Sequence, residues 1–306
     1  MRVAVIGLGS MGMGAVLNLL RAPGLEVAGC DPREAARAEF AAAGGTAVGR
    51  AADLPEGTEA VLLLVVNAAQ AEEALFGPAG CAARLAPGAV LIVSATIAPE
   101  AARALAAAAE ARGLLYLDAP VSGGAGGARA GTMTVMAAGS AAAMARAEPV
   151  LDAVANQVWH LGKAPGLGST MKVVHQLLAG VHIAAAAEAM ALGIKAGVDP
   201  RTLYSIVVGA AGNSWMFENR MPHVLDADDT PRSAVDIFVK DLGLVGDLAR
   251  AVAASAPLAA QAHQMFVSAR AQGHGGKDDA FVIRAYQALS GIALPGEGPE
   301  EGPGGG

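Results

Sequence analysis

A short apolar run, Arg2-Val3-Ala4-Val5-Ile6, leads without a break into Gly7-Leu8-Gly9-Ser10-Met11-Gly12 and then into a helical stretch. Few folds accept that order. A glycine turn between a buried strand and a helix opens a βαβ dinucleotide-binding unit. The first glycine permits the tight turn, the second lets the backbone approach a pyrophosphate, and the third lets helix and strand pack closely. The helix N-terminus then faces the phosphates with unpaired amides. Asp31 ends the next apolar run, where an acid accepts from a ribose 2′-hydroxyl and repels a 2′-phosphate, which favours NAD over NADP. Arg33, two residues on, works against that preference.

The first half of the chain alternates apolar runs (3–6, 26–30, 60–66, 89–94, 114–118) with alanine-rich helical stretches (11–21, 32–43, 99–112). Such alternation implies a parallel sheet with helices on both faces. Runs at 132–138 and 158–161, around a helix at 140–155, extend the same sheet. The segment 162–166, dense in Gly and Pro, marks a boundary. Beyond it the pattern is helical only, at 169–196, 199–210, 234–254, 258–272 and 280–290. The expected architecture is α/β: a Rossmann-type doubly wound sheet over residues 1–163, then an all-α domain over 164–294, joined through a long interdomain helix. A disordered Gly-, Pro- and Glu-rich tail is expected over 295–306. A helix of about 28 residues is roughly 42 Å long, more than a helical domain of about 130 residues spans. It is therefore expected to bridge both domains, with the active-site cleft along its first turns. Its other faces are expected to pack against a second subunit, as a homodimer or homotetramer.

Composition narrows the function. With 54% hydrophobic and 16% charged residues, the 306-residue chain can fill a large core without disulfides or metals. Cys30 and Cys81 have no metal-ligand spacing and read as buried thiols, so no metal is expected. Acids outnumber bases 28 to 21, and no basic patch is interleaved with aromatics, which argues against a nucleic-acid partner. The apolar excess is mostly alanine interrupted by Arg and Glu, so no membrane association is expected. A first strand beginning at residue 2 leaves no room for a leader peptide, and a cytoplasmic location is expected.

Three further features carry chemistry. Ser122-Gly123-Gly124 follows the run ending at Asp118, through Ala119-Pro120. As a loop at the carboxyl end of a strand, it can present amides and a hydroxyl to a substrate carboxylate. Lys172 is one of only five lysines against sixteen arginines, placed in the first turn of the long helix, where the dipole disfavours a cation. Partial burial there would lower its pKa, which suits a residue that exchanges a proton with a hydroxyl. His175 and Gln176 follow at i+3 and i+4 on the same face and read as pocket lining. In the helical half, Lys240 within Phe238-Val239-Lys240-Asp241 is placed either to reach the cofactor or substrate or to form a surface ion pair. Asn213-Ser214-Trp215-Met216-Phe217 reads as an exposed polar-aromatic loop, a pocket wall or a subunit contact.

Together the Gly7–Gly12, Asp118–Gly124 and Gly166–Lys172 signatures resemble the β-hydroxyacid dehydrogenase family, over nearly the whole chain to about Leu294. The stretches 166–190 and 211–241 are similar to its members in bacterial sugar-acid catabolism. That resemblance implies NAD along Gly7, Leu8, Gly9, Ser10, Met11, Gly12 and Asp31, with Val66, Asn67, Thr96 and Lys240 also at the cofactor. It implies Lys172 as the catalytic residue and substrate at Ser122, Gly123 and Gly124; the residues themselves, not the resemblance, place His175, Gln176 and Trp215 on the substrate side. The family usually carries asparagine three and four residues after the lysine. His175 and Gln176 in their place suit a longer, more polar acid, such as L-threonate oxidised at C2 to its 2-oxo acid. Tartronate semialdehyde reduction, 3-hydroxyisobutyrate-type oxidation and a non-catalytic NAD-binding interaction protein remain as alternatives.

Overall fold

The computed structural model describes residues 1–297. The chain separates into two compact units that divide between Val173 and Val174.

The first unit is built on nine strands: β1 (Arg2–Ile6), β2 (Glu26–Cys30), β3 (Thr46–Val48), β4 (Thr58–Leu63), β5 (Leu85–Val93), β6 (Leu115–Asp118), β7 (Val121–Ser122), β8 (Met133–Gly139) and β9 (Ala155–Gly162). Six helices lie among them: α1 (Ser10–Arg21), α2 (Glu34–Ala42), α3 (Ala68–Phe76), α4 (Pro99–Glu110), α5 (Gly124–Ala130) and α6 (Ala141–Val154). The strands run in the order 3-2-1-4-5-6-8-7, with β9 also paired to β8. From β3 to β6 every pair is parallel, and this is the strand order of a dinucleotide-binding sheet.

The expected all-parallel sheet needs one correction: β8 runs antiparallel to both β6 and β7. After β6 the chain turns back through Ala119-Pro120, β7 and the seven-residue α5. On that path β7 pairs antiparallel with β8 itself, and α5 joins the two as a return connection. Two short strands, β3 and β7, and helices α3, α5 and α9 (Trp215–Leu225) were not anticipated by the sequence patterns.

Alternation along the central strands produces two cores. Val3, Val5, Leu62 and Ile92 pack on one face with Phe40 of α2, Val16 and Leu19 of α1, and Val150 of α6. Ala4, Ile6, Leu63 and Val93 face the other way, against Leu75 of α3 and Leu105 of α4. Successive residues of a strand point to opposite faces, so strands apolar at every position are the mark of a sheet covered on both sides.

Two glycines set how closely the first helix can approach. A Cβ on Gly12 would lie 1.7 Å from the Gly7 carbonyl oxygen, and one on Gly14 would lie 2.6 Å from the Ala128 backbone in α5. Asn18 secures that second contact by donating from Nδ2 to the Ala128 carbonyl at 2.7 Å.

The second unit is helical, with most of α7 (Leu167–Lys195), then α8 (Pro200–Val208), α9, α10 (Val235–Ala251), α11 (Pro257–Ala269) and α12 (Ile283–Ser290). Among the described residues α7 alone is long and apolar enough to cross a membrane, yet its Ile183, Ala187 and Met190 are fully buried, as in a core helix. Phe238 of α10 stacks on Phe266 of α11 with ring centroids 5.2 Å apart. Arg220 of α9 donates from Nε to Asp279 at 2.6 Å, both groups buried. The tail expected to be disordered from residue 295 lies outside the described residues from 298 onward. Before that point Glu297 accepts from the Leu294 amide at 2.9 Å and pairs with Arg284.

Gly12→Ala is expected to cost about 1–3 kcal/mol, the usual range for overpacking, because the clash is with backbone. Gly126→Ala, in α5 with nothing within 4 Å of its Cβ, is expected to be neutral or to stabilise by up to about 1 kcal/mol through helix propensity. Urea denaturation of the two variants checks the difference in sign.

Candidate active site

The carboxyl ends of β1, β2, β4, β5 and β6 all lie at one edge of the parallel sheet, and open sheets of this kind bind ligands there. Gly7 leaves β1 at φ +92°, a conformation favouring glycine, and its amide donates to the Cys30 carbonyl at 2.8 Å. Gly9 caps α1 without a side chain, and Ser10 and Met11 form the first turn. A Cβ at Gly7 would strike the Leu64 carbonyl, but one at Gly9 would meet nothing nearer than Arg33 Nη2 at 3.9 Å. The turn is therefore packed tightly from within and open on its outer side, which fits a diphosphate.

The strand predicted over 60–66 ends at Leu63, so Val66 and Asn67 lie in the following turn. Asn67 caps α3 by accepting the Gln70 amide at 2.9 Å, while the Gln70 side chain accepts the Val66 amide at 2.9 Å. Thr96 follows the end of β5, whose neighbour Ser94 donates to the Ala119 carbonyl at 2.8 Å.

Asp31 sits where the sequence placed it, but its carboxylate is already occupied. Oδ2 accepts from the Leu8 amide at 2.8 Å and from Arg33 Nη2 at 2.9 Å; Oδ1 accepts from the Arg33 amide and Nε at 2.9 and 3.0 Å. Burial works to raise this carboxyl, but the Arg33 guanidinium and the two amides outweigh it and hold it below the usual carboxylate range.

The segment expected to be an open loop at Ser122–Gly124 is more structured than that. Ser122 closes β7, paired across to Thr134, and Gly124 begins α5. Gly123 and Gly124 have φ of +132° and +61°, so the change of direction depends on glycine at both positions.

Lys172 is buried, 7% exposed. Because α7 begins at Leu167, the lysine occupies its second turn rather than its first. What fixes that start is Asp118, at the end of β6. Its Oδ2 accepts the amides of Gly166 and Ser169 at 2.8 and 2.9 Å, and its Oδ1 accepts the Ser169 hydroxyl at 2.7 Å. Gly168 completes the fit, since a Cβ there would stand 2.4 Å from the Met136 carbonyl and 2.6 Å from that of Asp118. Burial pushes the Asp118 carboxyl up, and these donors offset it only in part. The clamp also explains why the compact units divide at 173–174 rather than in the glycine- and proline-rich segment 162–166: the first turns of α7 are held to the sheet.

In the second unit, His175, Gln176 and Lys240 come together through Asp241, which the sequence reading did not single out. Gln176 donates from Nε2 to Asp241 Oδ2 at 2.5 Å, and Lys240 pairs with Asp241 Oδ1. The remaining Gln176 oxygen faces His175 Nδ1 at 3.0 Å. A carboxylate accepts only, so the amide orientation is fixed. In the neutral imidazole Nδ1 then carries the proton and Nε2 the lone pair. Trp215 is not part of this hydrogen-bonded group. It opens α9 behind its Ser214 cap rather than lying in a loop, and its ring lies 5.9 Å from the Arg220 guanidinium. Among the described residues no group of three or more His, Cys, Asp or Glu is arranged to hold a metal.

Two family models match the chain: the NAD binding domain of 6-phosphogluconate dehydrogenase over residues 2–162, and the NAD-binding region of NADP-dependent 3-hydroxyisobutyrate dehydrogenase over residues 166–286. The chain belongs to this NAD-binding hydroxyacid dehydrogenase family. It is 54% identical to L-threonate dehydrogenase of Cupriavidus necator over 96% of its own length and 98% of that protein. The Escherichia coli K12 L-threonate dehydrogenase is 55% identical over 96% of each chain. A solved structure described as 3-hydroxyisobutyrate dehydrogenase from Salmonella typhimurium superimposes with a TM-score of 0.89 at 54% identity, over 93% of this chain and 99% of that one.

Removing one partner from a buried hydrogen bond costs about 1–3 kcal/mol, so Ser169→Ala should destabilise the protein by that order and Asp118→Asn by at least as much. Because they share one clamp, a double-mutant cycle should return a coupling of about 0.5–3 kcal/mol. Additive losses in denaturant titrations would mean that the two residues act separately.

Proposed function

We propose that this dehydrogenase oxidises L-threonate at its C2 hydroxyl, with NAD as the acceptor. The observation that carries the reading is Lys172: a buried amine on a helix whose start is fixed to the carboxyl edge of the sheet, the same edge that bears the glycine turn. The two L-threonate dehydrogenases supply the substrate.

When bound, NAD provides the acceptor for the hydride that leaves C2. The chain's own residues do the rest. Gly7, Leu8, Gly9, Ser10, Met11 and Gly12 hold the diphosphate, Asp31 lies at the adenosine ribose, and Val66, Asn67, Thr96 and Lys240 complete the cofactor contacts. Ser122, Gly123 and Gly124 orient the substrate carboxylate. Lys172, as a neutral amine, takes the C2 hydroxyl proton at Nζ while the C2–O bond becomes a carbonyl. His175, Gln176 and Trp215 line the substrate side, with Gln176 anchored by Asp241. In this reading residues 1–163 form the cofactor domain and residues 164–294 supply substrate and subunit contacts. The enzyme works in the cytoplasm as a homodimer or homotetramer, with no membrane or nucleic-acid partner.

The Salmonella structure favours a second reading, oxidation of 3-hydroxyisobutyrate. NADH absorbance with L-threonate, D-erythronate, 3-hydroxyisobutyrate and D-glycerate separates the two. The proposal expects the highest kcat/KM with L-threonate; a maximum with 3-hydroxyisobutyrate would overturn it. Lys172→Ala should lose about 10²–10⁴-fold in rate while still binding NAD. Retained turnover would move proton transfer to His175.

A further inference from the structure

Helix α5 is weak by its own sequence. Its seven residues include three glycines, Gly124, Gly126 and Gly127. Glycine is the poorest helix former after proline, and helices this short are marginal in water. The order of α5 therefore comes from what it packs against, and that is α1. Ala128, the one buried residue of α5, lies against Gly14. Asn18, two turns into α1, spreads its Nδ2 donors over three carbonyls: Ala128 at 2.7 Å, Gly14 of its own helix at 3.0 Å and Arg129 at 3.3 Å. The last carbonyls of a helix have no partner within it, and Asn18 supplies one from outside. Gly131 ends α5 in the left-handed region at φ +68°, and a Cβ there would stand 3.5 Å from Asn18 Cγ. The asparagine thus grips the whole C-terminal end of α5.

The other end of α5 runs directly into Ser122, Gly123 and Gly124. β7 is only two residues long, paired to β8 at the end of the sheet. Gly123 and Gly124 both have positive φ, so the segment between β7 and α5 has little stiffness of its own. The Gly123 carbonyl accepts the Gly127 amide at 3.0 Å, which ties that segment to the body of the helix. A helix of seven residues is about 10 Å long, so a displacement at its far end reaches Ser122–Gly124 with little loss. We propose that Asn18 is a positioning residue for the substrate: by anchoring α5 to α1, it holds Ser122, Gly123 and Gly124 where they receive the substrate carboxylate. It acts through α5 and not by contact with the substrate. The proposal rests on the assignment of Ser122–Gly124 to that carboxylate and adds the residue that keeps them in place.

Steady-state kinetics of the full-length protein, with L-threonate and NAD varied separately, test this. Asn18→Ala is expected to raise KM for L-threonate about 2- to 12-fold, the net worth of one hydrogen bond. Both kcat and KM for NAD should stay within about twofold, the pattern of lost substrate binding. A merely structural role would lower kcat by reducing the folded fraction and leave KM where it was. Asn18→Asp keeps the size but sets an acceptor-only group against three carbonyl oxygens, and should raise KM further. Gly131→Ala disturbs the same anchor from the α5 side and should act in the same direction. Gly126→Ala strengthens α5 at an open position, so adding it to Asn18→Ala should return KM part-way to the wild-type value. A KM for L-threonate unmoved in the variants with native circular dichroism, or a rise matched by KM for NAD, would overturn the proposal. A wild type that prefers 3-hydroxyisobutyrate carries the same expectation over to that acid, since it too has the carboxylate. A wild type that oxidises no hydroxyacid would instead remove the function itself, and the proposal with it.

Discussion

A single buried carboxylate organises the chemistry of the first unit. Asp118 ends β6 inside the sheet, where an ionisable group is costly unless its acceptors are filled. Two amides and a hydroxyl from the beginning of α7 fill them. In return those donors, which a helix start would otherwise leave unpaired, are satisfied by a rigid strand rather than by water. The helix therefore begins at a defined place and in a defined rotational phase, and Lys172, five residues into α7, inherits both. The proton transfer proposed for Lys172 needs that kind of placement, because small displacements of a reacting atom are costly in rate.

The glycine turn is the counterpart on the cofactor side, and its logic is steric. Gly7 and Gly12 are glycines because backbone occupies the space a side chain would need, whereas Gly9 is bare because its outer side must stay open. The same turn is tied to Asp31 through the Leu8 amide, and Asp31 to Arg33. Glycine turn, carboxylate and guanidinium are thus parts of one hydrogen-bonded assembly. In the second unit, Asp241 does comparable work: by holding Gln176 and Lys240 it fixes the Gln176 amide and, through it, the His175 tautomer.

Much of this could be read from the residues. Strands apolar at every position announced a sheet covered on both faces, and the glycine spacing announced its first turn. The parts that could not be read depend on contacts distant in sequence. Asp118 and Ser169 are 51 residues apart, and Gln176 and Asp241 are 65 apart; nothing in the sequence ties either residue to its partner. The antiparallel β8 was hidden because its apolar run looks like that of any buried strand and carries no mark of its direction. Helix α3 was missed because its cap, Asn67 with Gln70, is a signal one residue wide, within an alanine-rich stretch without strong periodicity. Asp31 was located correctly, but its pairing with the residue two positions on changes what it can offer to a ligand.

The central claim is that the buried amine of Lys172 takes the substrate proton. Chemical rescue addresses it most directly. In Lys172→Ala, removal of a buried side chain leaves room at the same place for a small primary amine. With L-threonate and NAD, added methylamine or ethylamine should restore turnover in proportion to the concentration of the neutral amine, and should leave the wild type unaffected. A variant that retains the wild-type rate without amine, or one that binds both substrates yet does not respond to any amine, would contradict the account.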